Sequence, residues 1–207
     1  MQRIPQPHKD TIIFVLGPPA SGKGTVCRSA VGMLRSPGRV YRHLSVGDYL
    51  RDLCDPETPC EVEGLDRDKV RGYLRDNKLL PADVLIPLLK HKINFAPKMD
   101  GFTTVWLIDG FPRNMETTHV FEKEIGKPET VIILDCEREI AERRYLTRGR
   151  EAMDDKQRFS KRYDEYTNNA GAIGKHYEDI AASVCANGNQ GICLSQFLVA
   201  LPPASSD

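Results

Sequence analysis

Residues 17–25 read GPPASGKGT, and their types and spacing suit them to holding a chain of phosphates. Gly17, Gly22 and Lys23 satisfy G-x-x-x-x-G-K, directly after an apolar run and directly before a helical pattern. Glycines let backbone N–H groups turn inward, a helix N-terminus adds partial positive charge, and the Lys23 ammonium reaches the outer phosphates. Pro18, Pro19, Ala20 and Ser21 fill the loop between them. Gly24 follows the lysine, so the hydroxyl such loops offer to magnesium comes one position late, at Thr25. Further on, Asp109 ends the run TVWLID, where a carboxylate can orient magnesium through its waters. An aspartate at such a place is otherwise a turn or cap residue.

These groups need a frame. Four short, β-branched apolar runs read as buried strands: TIIFVL (11–16), VYRHL (40–44), TVWLID (104–109) and TVIILD (130–135). Helical patterns lie between or after them at 23–34, 82–93, 115–123 and 137–147. Such alternation implies an α/β fold with a parallel sheet. Two stretches stand outside it. Residues 52–80 are polar, with two prolines and two cysteines, and read as a small insertion over one sheet edge. Residues 148–158, RGREAMDDKQR, are highly charged without apolar period and read as a flap.

The whole chain bounds the partners. At 207 residues it suits one ordinary globular core. Twenty-nine basic residues balance 29 acidic ones, so no global charge draws it to nucleic acid or membrane. Substrate charge must be met by local arginines. The six cysteines form no CxxC pair and the five histidines are scattered, so no zinc site is expected. Without an export or bilayer-spanning run, a reducing cytosolic compartment is the expectation, with the nucleus also open.

GPPASGKGT, LSVGDYLR and IDGFPRN, in this order and spacing, resemble the nucleoside monophosphate kinases of the adenylate kinase family, over about residues 11–177. The resemblance implies a P-loop NTPase-type three-layer fold with a central parallel sheet of about five strands. It implies one kinase domain over residues 1–207, with a helical monophosphate-binding insertion at 46–80 and a short lid at 149–158. ATP would be the donor, Mg2+ the cofactor and small nucleotides the partners of a monomer. Moving a phosphoryl group between two anions needs charge neutralisation and alignment, which planar arginines provide.

By the family pattern Arg51 and Arg113 bind the acceptor phosphate, near Ser45, Gly47 and Gly110. Arg148 packs against the donor base, and Arg162 reaches the phosphates between the substrates. Lys23, Arg113 and Arg162 thus form the catalytic set, joined by Arg150 or Arg158 from the lid. Asp154 and Asp155 match the paired flap carboxylates that hold arginines.

The acceptor base is read from a few positions. Adenylate kinases have STGD where this chain has Ser45, Val46, Gly47 and Asp48; the UMP/CMP branch carries a small apolar residue there. That branch also has GFPRN, as Asn114 does here, and a counterpart of Leu79 and Leu80. The resemblance therefore favours a pyrimidine acceptor, with AMP as the alternative. Thr117 departs from it, standing where the family places Gln or Asn. The flap is short, the late strand is poorly matched at 183–195, and Ala20 replaces a loop glycine. A nucleotide-binding protein without turnover stays open. A hydrolase does too, but the acceptor arginines argue against it.

Overall fold

Alternating side chains decide how the strands stack. In the computed structural model, which describes residues 10–59, 62–148 and 155–203, five strands form one parallel sheet. They are β1 (Thr11–Leu16), β2 (Arg39–Ser45), β3 (Thr103–Asp109), β4 (Thr130–Asp135) and β5 (Ala181–Cys185), in the order β2-β3-β1-β4-β5. In β1, Ile12 and Phe14 enter one hydrophobic cluster, while Ile13 and Val15 enter the other. Both faces are covered, which is why the inner strands read as nearly unbroken apolar runs.

The first cluster takes in α2 (Val46–Cys54), α4 (Ala82–Asn94) and α5 (Met115–Glu124), with Val70 of α3 (Arg67–Arg75). The second takes in α1 (Lys23–Met33), α6 (Arg138–Thr147) and α8 (Gln190–Ala200). The 21-residue α7 (Lys156–His176) serves both, because Phe159 lies in the second cluster and Ile173 in the first. It therefore passes from one face to the other.

Chain order reverses around β1: the chain runs out to the edge strand β2, returns to β3, then crosses β1 to reach β4. Loops leaving β1 and its neighbours diverge at the carboxyl ends of the strands. That opening is where sheets of this kind place ligands.

The α/β class and the parallel sheet follow the sequence expectation. The stretch 183–195 is not a break in the pattern, however. It holds most of β5, paired in register with β4 from Val131–Ala181 to Asp135–Cys185, and the start of α8. Only Val184 of that edge strand is fully buried, so its alternation is faint. Residues 156–158, read as flap, form the first turn of α7.

Candidate active site

The loop between β1 and α1 has a backbone that few side chains tolerate. At Gly17 φ is +143°, and a Cβ there would lie 2.7 Å from the Leu134 carbonyl oxygen. Gly22, at φ +98°, is the N-cap of α1. Ala20 also sits in the left-handed region, at φ +59°. Lys23 Nζ donates to the carbonyls of Gly17 and Pro18, both at 2.8 Å, and to Ser21 Oγ at 3.3 Å. Burial lowers its pKa to about 8; the charge of Asp109 resists this, and Arg113 and Arg162 add to it.

The glycine after the lysine has a spatial reason. A Cβ on Gly24 would stand 3.3 Å from both Asp109 Oδ2 and Arg28 Nη1. A serine or threonine would press on that carboxylate, and the hydroxyl moves to Thr25. Asp109 is 7% exposed at the end of β3, and its Oδ2 meets His43 Nε2 at 3.3 Å. A carboxylate and a hydroxyl beside the phosphate loop are hard oxygen donors, a set that fits Mg2+.

The loop forms the floor of a cleft of about 660 Å³ at the carboxyl ends of the strands. Gly17, Pro19, Ala20, Ser21, Gly22, Lys23, Gly24 and Thr25 line it, together with Ser45 and Asp109. Pro18 contributes its carbonyl to Lys23. A second cavity of about 110 Å³ adjoins it, and Gly47, Arg51, Gly110, Arg113, Arg162 and Glu165 line both. The two lobes thus share a cationic wall.

That wall is built by crowding. The guanidinium nitrogens of Arg51 and Arg113 both stand within 4.0 Å of the point where a Gly47 side chain would begin. Arg51 pairs with Asp48, one turn back on α2. Arg113 Nε donates to the Gly110 carbonyl at 3.0 Å. Burial, then the neighbouring Arg162, lowers the Arg113 pKa from its ordinary value. Glu165 counters both arginines from α7; burial raises its pKa, and Arg113 and Arg162 pull it back. Arg148 and Arg162 lie over the buried Tyr145 ring at 4.1 and 5.9 Å, and both line the larger lobe.

The smaller lobe has apolar walls. Val46, Leu79 and Leu80 line it with Phe111, Asn114 and Thr117. Asn114 is the N-cap of α5, accepting from the Thr117 backbone N–H at 2.9 Å and from the Thr117 hydroxyl at 2.8 Å. Arg158 also lines this lobe and donates through Nε to Asn77 Oδ1 at 2.9 Å. Asp155 caps α7, its Oδ1 accepting the Arg158 backbone N–H. Arg150 and Asp154 lie outside the described residues.

Two groups escaped sequence reasoning. Glu165 carries no local motif, and only the packing of α7 brings it to Arg113. Arg144 lines the larger lobe and donates to the Ala186 carbonyl at 2.7 Å and the Gly188 carbonyl at 3.3 Å. It fixes the loop after β5 against the larger lobe. Its signal was the spacing of four to Arg148, which puts both on one helix face.

The family model described as adenylate kinase matches residues 15–182. The chain belongs to the adenylate kinase family. Among the similar relatives of this adenylate kinase family member is UMP-CMP kinase 1 of Oryza sativa subsp. japonica. It is 31% identical over 195 residues, covering 93% of this chain and 74% of the relative. UMP-CMP kinase of Bos taurus is 32% identical over 178 residues, covering 83% and 86%. That of Xenopus tropicalis is 33% identical over 176 residues, covering 82% and 85%.

Proposed function

We propose that this protein is a nucleoside monophosphate kinase that transfers the γ-phosphoryl group of ATP to UMP or CMP. The observation that carries this reading is the two-lobed cleft: a phosphate loop in one lobe, an apolar slot in the other, and arginines shared between them. A hydrolase has no use for the second lobe. Val46 in the slot, and relatives named UMP-CMP kinase, support the pyrimidine acceptor.

Residues 17–25, with Arg148 and Arg144, hold ATP in the larger lobe. Arg51 and Arg113 hold the acceptor phosphate, whose base enters between Val46, Leu80 and Thr117. An oxygen of that phosphate attacks the γ-phosphorus in line, and the bond to the bridging oxygen of ADP breaks. The acceptor is already ionised near neutral pH, so no general base is needed. Lys23, Arg113 and Arg162 stabilise the charge on the equatorial oxygens. Asp109 and Thr25 would hold Mg2+, which neutralises charge on the β- and γ-phosphates when bound. Residues 46–80 act as the acceptor insertion and 149–158 as a lid that excludes water, joined at its base by Arg158. One chain builds both lobes and its five described cysteines are free thiols, which suits a monomer in the cytosol.

A coupled assay with ATP and each of AMP, GMP, UMP and CMP tests the reading. ADP release should be fastest with UMP or CMP. Arg113→Ala should lower kcat/KM at least about a hundredfold while sparing ATP affinity. ATP binding without ADP release from any monophosphate would overturn the proposal.

A further inference from the structure

Where α5 packs against the C-terminal end of α7, three side chains come together that phosphoryl transfer does not use. His119 and Glu122 lie one turn apart on α5, and His176 closes α7. One ligand atom from each, an imidazole nitrogen or a carboxylate oxygen, lies within 4.8 Å of the other two. Glu122 Oε1 and His176 Nε2 are already 3.0 Å apart. The His119 and His176 rings stand edge to face at 5.4 Å, and the buried Tyr177 ring packs on His176 at 4.7 Å. Glu122 is largely covered, with its side chain 11% exposed, whereas His119 opens to solvent and leaves a path for an ion.

We propose that His119, Glu122 and His176 bind one divalent transition ion of the Zn2+ class, fastening α5 to α7. Two imidazoles and one carboxylate, with a fourth position left to water, are a set that tetrahedral Zn2+ accepts. Imidazole nitrogen selects such ions over Mg2+, so the site does not compete for the ion of the cleft. Spacing of three on a helix puts His119 and Glu122 on one side, facing the partner helix. A plain Glu122–His176 pair would explain two of these residues; His119 supplies the third donor. Along the chain the histidines are scattered, and only the packing of α5 on α7 removes that separation.

The test is a ZnCl2 titration of the full chain, with Cys60 and Cys185 replaced by Ser to remove competing thiols. Calorimetry should show one bound equivalent and a raised thermal midpoint, with no such rise from MgCl2. His119→Ala changes an exposed residue, so its fold, checked by circular dichroism, should persist. Its Zn2+ affinity should fall at least about tenfold, as should that of His176→Ala. Equal Zn2+ affinity in the parent and His119→Ala proteins, or no bound equivalent in the parent, would overturn the proposal.

Discussion

The Thr117 hydroxyl donates to Asn114 Oδ1 at 2.8 Å, and that oxygen also accepts the Thr117 backbone N–H. The two residues close a cap at the start of α5 and form part of the smaller lobe. Asn114→Ala removes the cap and should lower unfolding free energy by about 1 kcal/mol. A lower urea midpoint at unchanged slope would register it. Thr117→Val keeps the backbone bond, so preference among UMP, CMP and AMP should stay within about twofold. A tenfold change would instead mean that the hydroxyl reads the base.

Lys23 holds its proton in the free protein only below a pH of about 8, because burial opposes the charge. Only the charged form attracts phosphate, so ATP affinity should weaken as pH rises through that value, by up to about tenfold per unit. Lys23→Met should bind ATP weakly and lose the slope. For folding, the lowered pKa means that the charged lysine is a burden below about 8, relieved as pH rises toward the ordinary 10.5. The stability of the parent relative to Lys23→Met should therefore increase across this window. Paired thermal midpoints measure it.

Arg158 reaches from the first turn of α7 to Asn77 in the turn that follows α3. Since it lines the smaller lobe, we propose that it binds the monophosphate rather than ATP. Arg158→Ala should raise the acceptor KM about tenfold or more and leave the ATP KM unchanged. A fall in kcat alone would place the guanidinium on the transferring group instead.

Ala20 carries a Cβ at φ +59°, where glycine is at ease. Left-handed strain of about 1–2 kcal/mol is partly offset by the smaller chain entropy of alanine, about 0.4–1 kcal/mol. Ala20→Gly should accordingly raise stability by about 0.5 kcal/mol. Thermal unfolding at unchanged ATP affinity is the expected result.

Much of the phosphate loop was legible because its chemistry is local. Gly17, Gly22 and Lys23 act through a backbone turn of nine residues, and that turn is written in consecutive positions. Arg51 and Arg113 were legible for the same reason, each lying inside a short motif at a strand end. The strands β1, β3 and β4 announced themselves through burial on both faces. By contrast α7 buries only Phe159 and Ile173 fully, so its helical period is nearly silent. With α7 unread, Glu165 had no visible link to Arg113, nor His176 to His119. Edge strand β5 and the loop held by Arg144 were equally faint.

The sequence by itself determined that phosphates are held and that arginines wait beside them. Only the tertiary structure decided that a second, apolar lobe shares those arginines, and that Thr117 is bound to a helix cap. The reason is physical: a turn and its motif depend on neighbouring residues, whereas a cavity wall is assembled from helices distant in the chain. Sequence spacing does not encode which faces of those helices will meet.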